Sequence, residues 1–344
     1  MKITIDDVAK AAGVSIATVS KVINNRPQIS DATRERVINV MKQLDFHPNA
    51  RASNFAKQRS NNIVYLAVTT TLSAFQNPHM FEILCGAQNT LQRKHYNVSF
   101  TGVSSIESAY QKAQEIIGQK TADGILVHGS ATSKELVKLL VDSSYPHVII
   151  GRPPFPTSAC WIDINNRISG QIATRYLGSC GYRKIAFIGG PKTDEISRHR
   201  LEGFVSTMAD NGLFVEERYL QYGEYTKESG YHMAKDLLSS PPLPDAIICE
   251  NNLIAFGAVK AIEHAGKSVP ADFGLITFDD YPLSQLIEPP ITVVDIDVFD
   301  MGQKAAEILS QKIRNPGLHV QSFSTVPKLI VRSSTRILSP EEIL

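Results

Sequence analysis

The run from Thr4 to Asn24 constrains this chain most, because it sets two short apolar stripes on either side of one glycine. Val8, Ala9 and Ala12 share one helical face, and Gly13 then supplies the positive φ that a sharp helix ending tolerates. Ser15 is placed to cap a second helix by accepting a backbone N–H two or three residues on. In that helix Val19, Val22 and Ile23 form the inward stripe, with Ile16, Ala17, Ser20, Lys21 and Asn24 opposite. A solvated face normally carries more Glu and Lys than this. Small residues with one Ser, one Lys and one Asn suit close approach to base edges in a major groove. On its own, the pattern fits plain packing of two helices equally well.

The residues beyond Asn24 favour DNA. Ser30 caps a third helix, Asp31–Leu44, whose Val37, Met41 and Leu44 close a three-helix core. Residues 1–60 hold ten Lys and Arg against five Asp and Glu, and the rest of the chain holds 25 against 29. The overall charge of +1 therefore hides a basic head on a mildly acidic body, and a polyanion partner is expected for the head alone.

The ordered patterns Ile5-x-Asp7-Val8-Ala9, Gly13-Val14-Ser15, Thr18-Val19-Ser20-x-Val22-Ile23-Asn24 and Phe46-x-Pro48-Asn49-Ala50 resemble the lactose/galactose-repressor family of bacterial transcription regulators. The combined signature is far more specific than a generic helix–turn–helix. The resemblance implies that helix Ile16–Asn24 enters the major groove and that Ile16, Ala17 and Lys21 read bases. Lys21 would donate to guanine, while Ile16 and Ala17 offer apolar contact, for instance to a thymine methyl. Thr4, Ser15, Thr18, Ser20, Asn24 and Gln28 are expected on backbone phosphates, with a core-facing Thr18 as the alternative.

The hinge, Asn49–Lys57, is too short to be a stable helix alone and should order when paired on DNA. The family inserts an apolar side chain, usually Leu, between minor-groove bases at the centre of a palindrome. That position is Phe55 here, with Arg51 and Ala52 facing the groove floor and Asn49, which opens the hinge, expected among the DNA contacts. Docking of Phe55 on the body is the other reading.

From Ile63 to Phe278 apolar strands alternate with amphipathic helices, which argues for parallel sheets covered on both faces. The stretch is too long for one ordinary sheet, so two similar lobes are expected. The fold class is an N-terminal all-α helix–turn–helix head plus hinge helix, then an α/β core of two parallel-sheet lobes. The resemblance implies a periplasmic-binding-protein-like pair of lobes crossed near Cys160–Ile162, Pro289–Val293 and Phe323–Val326. Expected domains are a head at 1–46, hinge and linker at 47–61, and an effector-binding and dimerisation body at 62–338. In the body one lobe takes about 62–161 and 292–323, and the other about 162–291 and 324–338.

Ligands of paired-lobe α/β proteins sit where loops converge at the carboxyl ends of strands. By resemblance, Arg200 and Asp279 match the family's effector-binding Arg and Asp, and Asn251 matches a polar ligand contact. These three suit a polyhydroxylated ligand. Arg200 and Asp279 could also pair with each other across an empty cleft. Trp161, Phe75 and Phe155 are candidate stacking faces for a sugar ring, against plain core for Trp161.

Cys85, Cys160, Cys180 and Cys249 show no C-x-x-C, so reduced thiols and no metal are expected. No apolar leader follows Met1 and no run approaches the roughly 18 apolar residues of a membrane span, so a cytoplasmic protein is expected. Gly189-Gly190-Pro191 lacks the phosphate-loop patterns, and no G-x-S-x-G or comparable motif points to an enzyme. We expect a homodimeric, cofactor-free repressor that binds pseudo-palindromic double-stranded operator DNA and answers a small effector, a saccharide by class. The stretches 161–166 and 294–298 are similar to maltose-type regulators. The rivals are a solute-binding protein of the same fold, a purine-responsive regulator and a sugar-metabolising enzyme.

Overall fold

Helix α1 (Ile5–Ala12) starts at a reciprocal cap: Thr4 N donates to Asp7 Oδ2 at 2.8 Å, and Asp7 N to Thr4 Oγ1 at 3.4 Å. The structure is a computed structural model that describes residues 3–23, 26–46, 59–69, 78–318 and 322–336. The chain divides into two units, Met1–Asn61 with Lys120–Asp123, and Asn62–Gln119 with Gly124–Leu344.

In the first unit α1 ends at Gly13, whose φ of 62° lets its N–H reach the Ala9 and Lys10 carbonyls. Ser15 Oγ accepts Thr18 N at 3.2 Å to open α2 (Ile16–Ile23), and Ser30 Oγ accepts Thr33 N at 3.4 Å to open α3 (Asp31–Gln43). Val8, Ala9, Ala12, Val19, Val22 and Val37 form the buried core, with Met41, Leu44 and Phe46 packed at its edge.

The second unit begins β1 (Asn62–Val68), α4 (Pro78–Arg93), β2 (Asn97–Val103), α5 (Ile106–Gln119), β3 (Gly124–His128), α6 (Lys134–Asp142), β4 (His147–Ile150) and β5 (Trp161–Ile164). It continues with α7 (Asn166–Ser179), β6 (Ile185–Gly189), α8 (Glu195–Asp210), β7 (Leu220–Tyr222), α9 (Lys227–Ser239), β8 (Ala246–Cys249), α10 (Asn252–His264) and β9 (Gly274–Phe278). After these come α11 (Pro282–Leu286), β10 (Thr292–Asp295), α12 (Val298–Arg314), β11 (Ser322–Thr325) and β12 (Lys328–Ile330).

The strands make two sheets, ordered β11-β5-β4-β3-β1-β2 and β12-β10-β9-β8-β6-β7. Among the described residues every pairing is parallel except β12 against β10. The central strands β3, β4, β6, β8 and β9 are apolar and almost wholly buried, as expected for sheets with helices on both faces.

The chain changes sheet after β5, after β10 and after β11, which shifts the expected crossings. β5 stays in the first sheet through Ile164, and β11 pairs with it through Thr325. β10, expected in the first lobe, pairs with β9 and β12 of the second. An apolar strand of this kind reads the same whichever sheet it joins, so periodicity does not reveal its partner.

Pairs of helices cross at reciprocal glycines. A Cβ on Gly86 of α4 would lie 2.0 Å from the Phe299 carbonyl oxygen, and one on Gly302 of α12 would lie 2.1 Å from that of Ile83. Gly170 of α7 and Gly203 of α8 meet the Arg200 and Arg167 carbonyl oxygens in the same way, at 2.0 and 2.1 Å. Contacts this close are between backbones, so a methyl group must push the helices apart. Gly302→Ala is therefore expected to lower stability by about 1–3 kcal/mol in denaturant unfolding. An unchanged midpoint would contradict the close crossing of α4 and α12.

Candidate functional site

In the head, the face of α2 opposite Val19 and Val22 is open. Ile16 is 48% exposed, and Ala17 and Lys21 are exposed beside it. An exposed Ile next to a single cation is an apolar surface that tolerates close approach, which suits groove contact. Thr4, Ser15 and Gln28 are also exposed, whereas Ser20 and Thr18 are half-buried. The Thr18 hydroxyl lies 2.9 Å from that of Ser15, so it supports the turn between the helices. A hydroxyl keeps further bonding capacity, and this contact leaves room for a phosphate. Asn24, Asn49, Arg51, Ala52, Phe55 and Phe75 lie outside the described residues.

In the body, Arg200 anchors the cleft. α8 carries it against α7, where Gly170 lets the Arg200 backbone settle, and the side chain is 4% exposed. Its Nη1 donates to Glu250 Oε1 and to the Glu250 carbonyl, both at 3.0 Å, and its Nε donates to Asn166 Oδ1 at 3.2 Å. The guanidinium also lies over the Phe278 ring, 4.0 Å from the centroid. Of the possible partners, Arg200 makes its buried ion pair with Glu250, which is 1% exposed, and not with Asp279. Glu250 directly follows β8, so the end of a buried strand delivers its carboxylate to the guanidinium. Burial pushes the Glu250 carboxyl up to about 7, opposed by the attraction of Arg200.

Asp279 follows β9 with φ of 68°, an unusual backbone state for a residue other than glycine. Its backbone N–H is bonded to the Val294 carbonyl at 3.1 Å, but its buried Oδ1 has no partner. Burial raises its carboxyl to about 6, with Arg200 pulling down and Asp295 pushing up. Asn251, expected as a polar ligand contact, stands at the start of α10. Its Oδ1 accepts Ile254 N at 2.8 Å and caps α10, leaving the amide nitrogen and the second lone pair of the oxygen for other partners. The next residue, Asn252, is buried and donates to the Phe278 and Asp279 carbonyls at 2.8 and 3.0 Å, which holds the Asp279 loop.

Trp161 and Phe155 lie under cations. Arg152 is 5.8 Å from the Trp161 ring and Lys134 is 6.0 Å from the Phe155 ring. Both rings are half-buried, so Trp161 is not plain core. Sequence reasoning also missed His79 and His128. Burial lowers their pKa values to about 3 and about 4, so both rings are neutral at pH 7. Between the lobes is a cavity of about 210 Å³ whose walls include Glu82, Asp279, Asp280, Tyr281, Asp295 and Asp297.

The unmet bonds converge on this side of the second sheet. Glu250 Oε2, Asn252 Oδ1, Asp279 Oδ1 and the Tyr281 hydroxyl are all buried without a hydrogen-bond partner. Each such group costs about 1–3 kcal/mol and is rare in native proteins. Four of them stand just past the ends of the adjacent strands β8 and β9, and two of the four residues, Asp279 and Tyr281, line the cavity. Glu250 and Asn252 leave only a faint signal in the sequence, an acidic-amide run where a buried strand stops.

Comparison with known proteins agrees with this architecture. Residues 4–49 match the family model described as bacterial regulatory proteins, lacI family, and residues 174–335 match that of a periplasmic binding protein-like domain. The chain is 31% identical over 337 residues to the HTH-type transcriptional repressor PurR of Haemophilus influenzae (strain PittEE), covering 97% of this chain and 98% of that protein. It is 30% identical over 334 residues to the ribose operon repressor of Escherichia coli (strain K12), covering 96% and 99%. Among solved structures, the complex of the transcriptional regulator CelR with cellobiose is similar with a TM-score of 0.73 at 28% identity, covering 96% of this chain and 99% of that one. The lac repressor dimer bound to operator and the anti-inducer ONPF reaches a TM-score of 0.81 at 23% identity, covering 97% and 99%, a likeness of fold alone. With two relatives at 30% identity or more along almost its whole length, the chain belongs to the lacI family of bacterial regulatory proteins.

Proposed function

We propose that this protein is a transcriptional repressor whose affinity for operator DNA is set by a small polyhydroxylated ligand held between its two lobes. The observation that carries the ligand half of this reading is the cluster of four unpartnered buried polar atoms around Arg200 and Asp279. A saccharide supplies many hydroxyls, each able to donate and accept, and so could satisfy carboxylate, amide and phenol together. The named relatives support the class: one is a ribose operon repressor, and one structural relative holds cellobiose. The DNA half rests on the open Ile16, Ala17 and Lys21 face of α2. As a homodimer the protein would set two such helices on the halves of a pseudo-palindrome, with Phe55 of each hinge at its centre.

The control is a coupling between two sites. A ligand that bonds both lobes favours one arrangement of them, and the operator favours one as well, so each changes the other's affinity. Binding, with no chemical step, is what this arrangement of groups supports. None of the described helices is long and apolar enough to cross a membrane. A bacterial operator lies in the cytoplasm, and we place the protein there with its DNA.

Three measurements test these assignments. Lys21→Ala is expected to lose about 1–3 kcal/mol of discrimination at one or two base pairs of each half-site in a sequence-selection experiment. An unchanged sequence preference would remove Lys21 from the reading face. In a thermal-shift panel of sugars, sugar phosphates and purines, a ligand at about 100 times its dissociation constant should add roughly 2.7 kcal/mol of stability. A response to purines alone would replace the saccharide with a nucleobase. Asp279→Ala should abolish the response while leaving operator binding intact, and a retained response would place the ligand elsewhere.

A further inference from the structure

The cavity between the lobes is unusual in its charge. Five carboxylates line it: Glu82 from α4, Asp279 and Asp280 after β9, and Asp295 and Asp297 where the chain crosses to α12. Among the described residues no cation lines it. Asp280 is balanced from outside, since Arg332 Nη2 donates to its Oδ1 at 2.5 Å. Arg200 is the nearby cation, and it is already neutralised by Glu250 at 3.0 Å. Asp295 and Asp297 accept backbone N–H groups: Asp295 Oδ1 takes those of Asp280 and Asp297 at 3.4 and 3.3 Å, and Asp297 Oδ1 takes that of Asp300 at 2.9 Å. Among the described residues, four carboxylates, Glu82, Asp279, Asp295 and Asp297, therefore share one cavity without an ion pair, with Arg200 acting on Asp279 from a distance.

A second observation is that polar groups lining the cavity have unmet hydrogen bonds, Asp279 Oδ1 as an acceptor and the Tyr281 hydroxyl as donor and acceptor. Tyr281 lines it and is only 8% exposed, yet its buried hydroxyl has no hydrogen-bond partner, and neither has Asp279 Oδ1. Among the described residues no group of three or more His, Cys, Asp or Glu side chains is arranged to hold a metal ion. A larger cation with several N–H donors fits both facts, because an ammonium offers three donors and one positive charge. The mutual repulsion is visible in the carboxyls themselves. Glu82 is raised by burial and then by Asp279, Asp295, Asp297 and Asp280.

We propose that the ligand of this cleft carries an amine, and that its class is an amino sugar or a polyhydroxylated amine of similar size. The hydroxyls bond the Arg200–Glu250 side, and the ammonium sits among Glu82, Asp279, Asp295 and the Tyr281 hydroxyl. Neutral sugars lose the charge contact, and phosphorylated sugars meet those four carboxylates. The amine class rests on the cleft being the ligand site.

The test is titration calorimetry on the full-length protein at pH 7. D-glucosamine, D-galactosamine and D-mannosamine are each compared with the parent sugar, its N-acetyl derivative and its 6-phosphate. At least one amine is expected to bind about tenfold or more tightly than its uncharged partners, with a preference that shrinks as salt rises. Glu82→Gln should erase most of that preference. The Glu82 side chain makes no hydrogen bond among the described residues, so the amide breaks no internal bond, and a melting curve checks that the variant folds. Equal or tighter binding of a parent sugar or a 6-phosphate overturns the amine while leaving the cleft standing as a saccharide site. Binding of none of these compounds overturns the amine and the saccharide reading together.

Discussion

The buried pair of Arg200 and Glu250 is the interaction on which the rest of the body depends. Ions at 4% and 1% exposure lose their hydration, and mutual attraction repays that loss only when the geometry is good and other bonds are made. Here the guanidinium also bonds the Glu250 carbonyl and Asn166 and covers the Phe278 ring. Those partners come from α7, β9 and the end of β8, so one side chain ties together the carboxyl ends of the second sheet. The seat exists because Gly170 lets α8 approach α7 until the Arg200 backbone nearly touches it. Helix packing, strand order and the cleft are a single arrangement.

The other lobe contributes less directly. Glu82 of α4 meets Asp279 and Tyr281 across the cavity, and the β10–α12 crossing supplies Asp295 and Asp297 beside them. Tyr281 belongs to a loop of the second sheet, yet it packs among the core residues of the first. It therefore joins the lobes while leaving its hydroxyl unsatisfied. A group in that position feels any change in how the lobes approach, and a molecule that bonds it acts on both lobes at once.

Much of this is legible in the sequence. The alternation from Ile63 to Phe278 announces parallel sheets, because strands buried on both faces must be apolar throughout. Gly13, Ser15 and Ser30 announce the head, because caps and left-handed turns narrow the choice of residue. Arg200 and Asp279 stand out by resemblance: Asp279 directly follows β9, and Arg200 on α8 reaches the end of β8 through Glu250. The partner of Arg200 does not stand out. Glu250 is one more acid at a strand end, and only the three-dimensional meeting of β8 with α8 makes it a counter-ion. The expectation for β10 fails because the pattern of Thr292–Asp295 suits either sheet. Asn251 reads as a ligand contact from the sequence, and only the structure adds that it caps a helix and that its neighbour Asn252 holds the Asp279 loop. Adjacent amides at a helix start do not reveal which one turns inward.

One molecule in this cleft and one operator on the head share a free energy, and everything proposed for the protein turns on that coupling. The direct measurement is the dissociation constant of the cleft ligand, determined by titration with and without saturating operator DNA. Coupling of about 1–3 kcal/mol predicts a change of roughly 5–150-fold, and the ligand must shift operator affinity by the same factor. An identical ligand affinity on free and DNA-bound protein would contradict the coupling.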